Sequence, residues 1–223
     1  MSVFATPFRV PAAVAGLLAV FLAAAPLSAA PRNAGEVASL APEVGNVSRA
    51  RGSLEAQRGK NVMALKAGGT VRFKDTLVTG ANTRAEIRLV DDSQLFLGDD
   101  TRMTIDELVF APNAPRSVVV NLSQGVFRMI SGKFNKVPGG KLSVVTPVAT
   151  IGVRGTDFWG HQEPGKLTMV LIDHGRLEIT SDAGTVTLDQ PLTGVVITAG
   201  VPEIQRITLT PEQLQEAAKT ITY

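Results

Sequence analysis

From Val44 onward, apolar and polar residues alternate over short runs, the two-residue period of a strand with one face buried. The clearest run is Ala85 to Leu89, then Asp91-Asp92-Ser93, then Gln94 to Leu97, then Gly98-Asp99-Asp100, then Arg102 to Ile105. Its inward candidates Ile87, Leu95 and Met103 are eight apart, and so are Leu89, Leu97 and Ile105. Later, Leu177, Val186 and Val195 are nine apart, as are Ile179, Leu188 and Ile197, with turn residues between them. Further strands are predicted at Val118–Leu122, Val126–Ile130, Leu142–Thr146, Ala149–Val153 and Leu167–Ile172. Strand, turn and strand of constant length suit hairpins in a sandwich or barrel, and equally a β-solenoid of stacked coils. Periodicity alone does not choose between them.

Helical spacing appears only at the end of the chain. Thr210 can accept the free backbone donors of a helix start, Pro211 suits the first turn, Glu212 suits the positive end of the dipole, and Gln213 completes a capping box. Leu214, Ala217, Ala218 and Ile221 then share a face. The pattern predicts a short helix over 211–221 that covers an open sheet edge, whose unpaired backbone groups would invite aggregation.

The first thirty residues follow another rule. Arg9 is their one charge, Ala12 to Ala25 is almost wholly apolar, and Pro26-Leu27-Ser28-Ala29-Ala30 follows. A run of about 14 apolar residues falls short of the roughly 20 that span a bilayer, so 1–30 reads as a secretory leader, cut after Ala29 or Ala30. Residues 31–43, with Pro31, Asn33, Gly35 and Pro42, read as a poorly ordered lead-in. A single β domain is expected over 44–209, and the capping helix and tail over 210–223. With the leader removed the protein is expected to be exported and soluble, with no second apolar run long enough to span a membrane in its mature form.

Composition narrows the picture further. The 223 residues hold 26 Val, 10 Ile and 20 Thr, about a quarter of the chain, but only 5% aromatics, which fits short strands around an aliphatic core. There is no cysteine, which excludes disulfides, a thiol nucleophile, thiolate metal sites and a lipid-bearing cysteine. A formal charge of +2 gives no electrostatic footprint for nucleic acid.

Candidate chemistry is sparse. Asp91-Asp92 and Asp99-Asp100 sit at opposite ends of one predicted strand, roughly 20 Å apart at about 3.3 Å per residue, too far to share a substrate. With Asp106 they also miss the calcium-loop spacing, so they read as turn formers. His161 and His174 are the two histidines and would need a carboxylate such as Asp157 or Asp173 to hold zinc; they read instead as exposed loop residues. Met103, Met129 and Met169 read as core filling. No serine elbow, phosphate loop or dinucleotide fingerprint is present, and no cofactor, metal or catalytic residue is assigned.

One segment stands apart: Thr146-Pro147-Val148-Ala149-Thr150-Ile151-Gly152-Val153-Arg154-Gly155-Thr156-Asp157-Phe158-Trp159. It sets an arginine between two glycines in a run that otherwise reads as strand, and Gly152 and Gly155 permit a bulge or sharp corner. Arg154 must keep its charge, so it either reaches solvent or pairs with a carboxylate and carbonyls. Two roles stay open for it: a guanidinium that ties a corner together, or a ligand or partner site.

That segment resembles the signature of the FecR domain family, named for a periplasmic regulator of ferric citrate uptake in Gram-negative bacteria. Asp75-Thr76-Leu77-Val78-Thr79-Gly80 is similar to the family's Gly-Asp-x-apolar-x-Thr-Gly stretch, Ala85 to Leu97 to its strand, Asp-Gly-Ser turn and strand, and Leu122 to Arg128 to its Leu-x-x-Gly turn. Thr146-Pro147 followed by Arg154-Gly155-Thr156 is the most specific part. The resemblance spans about residues 44 to 180. It departs at Lys74, where the family has glycine before the aspartate, and at Asp92, in place of the turn glycine. It implies an all-β, β-solenoid-like stack of short strands, with a β-sandwich as the alternative. It singles out Asp75, Thr79, Gly80, Thr146, Pro147, Gly152, Arg154, Gly155 and Thr156 as structural or partner-binding residues.

The family's regulators place a sigma-factor-binding segment and a membrane helix before this domain, whereas this chain opens on a leader. The reading is therefore a non-enzymatic periplasmic scaffold or signal-sensing module that binds another envelope protein and makes no direct sigma-factor contact. The alternative is a module for cell-wall glycan or a small ligand, for which one Trp and one Tyr are a poor endowment.

Overall fold

A computed structural model describes residues 41–109, 117–133 and 140–223. The predicted leader and nearly all of the lead-in lie outside the described residues. Among those residues seventeen strands, β1 to β17 in chain order, join in one ladder, followed by one short helix.

The ladder divides into two open sheets. The first runs β4 (Thr70–Arg72), β1 (Glu43–Arg51), β6 (Arg84–Leu89), β7 (Gln94–Leu97), β9 (Ser117–Ile130), β12 (Asp157–Glu163), β13 (Lys166–Leu171), β16 (Thr193–Thr198) and β17 (Gln205–Thr208). The second runs β3 (Asn61–Ala64), β2 (Leu54–Arg58), β5 (Thr76–Thr79), β8 (Arg102–Val109), β9 again, β10 (Lys141–Val145), β11 (Ala149–Arg154), β14 (Arg176–Ser181) and β15 (Gly184–Leu188). Every pairing is antiparallel except β9 with β10. From β10 on, the chain makes a hairpin in the second sheet, one in the first, and so on alternately.

The all-β stack of short strands with a terminal helix is thus as expected, but partners are not set by the eight- or nine-residue beat. In coils stacked in parallel, Leu177 would neighbour Val186. Here the β14–β15 hairpin sets Leu177 opposite Leu188 and Ile179 opposite Val186. Val195 and Ile197 join the other sheet, opposite Met169 and Leu167. Both series are buried, because the two-residue alternation decides the face and the hairpin decides the neighbour. The inner faces of the two sheets meet in one contiguous core that includes Ile87, Leu95, Met103, Phe127, Phe158, Leu177 and Ile197.

Two expected strands prove to be one. Val118–Leu122 and Val126–Ile130 are the halves of β9, which pairs with β8 and β10 through its first half and with β7 and β12 through its second. Between them Gly125 takes φ +99°, and a Cβ there would meet the Thr101 Cα at 2.3 Å. The glycine lets β9 bend from one sheet into the other without breaking.

Helix α1 (Pro211–Lys219) carries the predicted capping box: Gln213 N donates to Thr210 Oγ1 (3.3 Å) and Thr210 N to Gln213 Oε1 (2.9 Å). It does not run along an edge. It lies over the outer face of the first sheet, where Ala217 and Ile221 pack with Val126, Trp159, Val170 and Ile207. Trp159 Nε1 donates to Thr220 Oγ1 (3.1 Å), Arg84 Nη2 donates to the Lys219 carbonyl (3.0 Å), and a Cβ on Gly98 would meet the Thr220 carbonyl at 2.4 Å. The reason is a row on that face, Phe96, Arg128, Trp159, Val170, Gly194 and Ile207, each residue opposite the next. This mostly apolar row offers far more surface to bury than an edge does.

Candidate functional site

Most of the signature residues stand where the chain turns or passes between sheets. Asp75 lies between β4 and β5, fully buried. Arg58 donates to both of its oxygens, from Nε (2.7 Å) and Nη2 (2.8 Å), and Arg72 N donates to Oδ2 (2.8 Å). At the far end of β5, Thr79 Oγ1 donates to the Gly98 carbonyl (2.6 Å) and accepts from Thr101 N (2.8 Å), while Gly80 N donates to the Ser53 carbonyl (3.0 Å). The buried Asp75 carboxylate and Thr79 hydroxyl thus both have their partners, as burial demands.

Thr146 and Pro147 form the β10–β11 turn, where Thr146 Oγ1 donates to the Ala149 carbonyl (3.0 Å) and accepts from Ala149 N (3.1 Å). Gly155, at φ +55°, and Thr156 make the crossing from β11 to β12. Ser131 N and Oγ both donate to the Thr156 carbonyl (3.0 Å), and Thr156 N donates back to Ser131 Oγ (2.8 Å). Gly175 closes the corner from outside, since a Cβ there would meet the Gly155 carbonyl at 2.2 Å.

Gly152 and Arg154 differ from the rest. They stand on the outer face of β11, and the Arg154 side chain is exposed, with no carboxylate or carbonyl partner among the described residues. Lys141 on β10 and Arg176 on β14 flank it, two residues to which no sequence motif points. The signature does not converge on one point, because the two ends of β11 alone are separated by roughly 17 Å at about 3.3 Å per residue.

The two departures from the family pattern occupy left-handed backbone, Lys74 at φ 66° and Asp92 at φ 68°. Aspartate tolerates this region, but lysine is strained there by about 1–2 kcal/mol. The Lys74 contact with exposed Asp106 offsets little of that strain. Lys74→Gly is therefore expected to keep or raise stability, by up to about 1 kcal/mol, while β-branched Lys74→Val costs about 1–2 kcal/mol. Thermal melts of the two variants check this; equal losses in both would contradict it.

The acidic residues have separate partners. Asp91 accepts from Ser93 N (3.0 Å) and Oγ (2.7 Å), Asp99 accepts from Thr83 N (2.7 Å) and Arg84 Nη1 (2.6 Å), and Lys133 and Arg88 hold the Asp92 carboxyl below its usual range. Asp157 pairs with Arg128 through both oxygens (2.8 and 2.5 Å). His174 is exposed as expected, but His161 is on β12 rather than in a loop, with its ring centroid 6.2 Å from that of Trp159. Burial lowers its pKa. Among the described residues no group of three or more His, Asp and Glu side chains is placed to hold a metal ion. No helix of the described residues is long and apolar enough to cross a membrane.

Two open sheets, antiparallel but for the β9–β10 pair, exchange hairpins and, with polar corners held by Asp75, Thr79 and Thr156, define an all-β strand stack. Residues 75–187, just over half of the chain, match the family described as FecR protein. The chain belongs to that family. No curated protein matches it. Two crystal structures of a candidate anti-sigma factor from Parabacteroides distasonis, at 2.50 and 1.65 Å, share its fold with a TM-score of 0.51 and 15% identity. The match covers 63% of this chain and 62% of that protein, so the chain spans less than two thirds of its relative's length.

Proposed function

We propose that the protein is a non-enzymatic interaction and signal-sensing module of the cell envelope, carried to the periplasm by residues 1–30, where it binds an extended segment of another envelope protein. Family membership and the leader pattern support the setting. The observation that carries the binding mode is strand β3. Among the described residues it pairs only with β2, all four of its residues are exposed, and Val62 and Met63 hold 58% and 38% of their surface in solvent. Pairing of Arg58 with Asn61 across the Gly59-Lys60 turn sends the Val62 N–H to the open side. An open edge with exposed apolar side chains is a template for strand addition. Glycan recognition is the weaker reading, because Trp159 is 8% exposed beneath α1 and offers no stacking face.

A photo-crosslinking residue at Met63, used in intact cells, is expected to capture one discrete envelope protein. Val62→Pro, which removes the outward donor, is expected to abolish the adduct. Adducts with wall glycan alone, or an adduct indifferent to Val62→Pro, would overturn the reading.

A further inference from the structure

The outer face of the second sheet carries a row of unpaired cations. Leu142 lies opposite Val153, and Arg154 lies opposite Arg176, so Lys141, Arg154 and Arg176 stand side by side on β10, β11 and β14. At about 4.8 Å per strand the row is roughly 10 Å wide. All three are exposed, and among the described residues none of them forms an ion pair, whereas Arg58, Arg84, Arg88 and Arg128 each meet an aspartate. Like charges directly across a ladder repel, so the fold alone gains nothing from this arrangement.

The next row holds Ser143, Gly152 and Glu178, and together the two rows line a hollow of about 240 Å³. Gly152 lacks a structural reason to be glycine. Its φ is not positive, and a Cβ would sit 3.8 Å from the nearest atom, the Glu178 carbonyl oxygen, at ordinary contact distance. Glycine also weakens a strand interior. What its missing side chain does provide is depth beside two guanidinium groups.

We propose that this hollow binds a phosphate group, free or as a monoester. The guanidinium forks suit bidentate phosphate contacts, Lys141 adds a point charge, and the Ser143 hydroxyl can donate. Three cations against Glu178 leave two net positive charges, the match for a dianion rather than a densely charged polymer. The proposal is independent of strand addition at β3, since β2, β5, β8 and β9 separate β3 from β10.

The test is a titration of the purified protein with inorganic phosphate at low salt, followed by NMR of the backbone amides and arginine side chains. Saturable shifts are expected at Gly152, Arg154 and Arg176. Arg154→Gln or Arg176→Gln is expected to weaken binding about tenfold or more. Gly152→Ile fills the hollow and is expected to abolish binding while the melting temperature holds or rises, which separates occupancy from folding. A parallel arm uses phosphatidylcholine vesicles with and without phosphatidate: binding that needs phosphatidate and is lost in the same variants assigns a lipid-borne phosphate, and binding of inorganic phosphate alone assigns a soluble one. No saturable shift, shifts spread equally over Lys60 and Arg206, or full binding by Gly152→Ile would overturn the proposal.

Discussion

Asp75→Ala is expected to destabilise the protein by about 3–5 kcal/mol, the usual cost of removing one partner from a buried ion pair. The carboxylate is fully buried and accepts three hydrogen bonds, two from Arg58, whose side chain is only 12% exposed. Removing it strands the guanidinium inside the fold and frees Arg72 N at the β4–β5 crossing. At about 2–4 °C per kcal/mol for a domain of this size, the melting temperature should fall by about 10 °C. Asp75→Asn keeps an acceptor for Arg72 N but not the paired charge, and should fall between wild type and alanine. Arg58→Met with Asp75→Leu removes both charges and should recover much of the loss, because a buried pair contributes little over an apolar replacement. Thermal and urea unfolding of the four proteins measure this. A loss under about 1 kcal/mol for Asp75→Ala would show that water solvates Arg58 well enough to need no partner.

The Arg58–Asp75 pair also shows where sequence reading stops. Asp75 stands out through its Asp-x-apolar-x-Thr-Gly stretch, but Arg58 is seventeen positions away in a strand with no motif. Only the β2–β5 register, which sets Gln57 opposite Thr76, brings the two into reach. The same holds for Lys141 and Arg176 beside Arg154, since the strand order β10-β11-β14 is nonlocal. What was legible is local. The inward positions Ile87, Leu95 and Met103 follow from alternation, and the Thr210–Gln213 box follows from backbone donors within one turn. Where α1 docks was not legible, because its apolar bed is assembled from Phe96, Trp159, Val170 and Ile207 on four strands. The strand placement of His161 is nonlocal in the same way: its neighbour Gly160 reads in sequence as a loop residue, whereas that glycine is a strand residue kept bare by a ring from β9.

That ring makes the second prediction. Phe127 lies opposite Gly160 in the ladder and meets Phe158 edge to face, with centroids 5.7 Å apart at 83°. A Cβ on Gly160 would come 2.5 Å from Phe127 Cε1 and 2.6 Å from Met169 Sδ, so the ring fills the space that a side chain at 160 would take. Phe127→Ala should cost about 3–5 kcal/mol, the transfer loss of a fully buried ring plus the cavity it leaves. Gly160→Ala should cost about 1–3 kcal/mol by overpacking against a core in native contact. Combined, they should cost less than their sum by about 1 kcal/mol or more, because the new methyl enters the vacated volume and flexible Met169 can yield to it. Urea unfolding of the two single variants and the double measures the coupling. Strict additivity would mean that the ring does not keep position 160 bare, and that the Met169 sulfur alone excludes the side chain there.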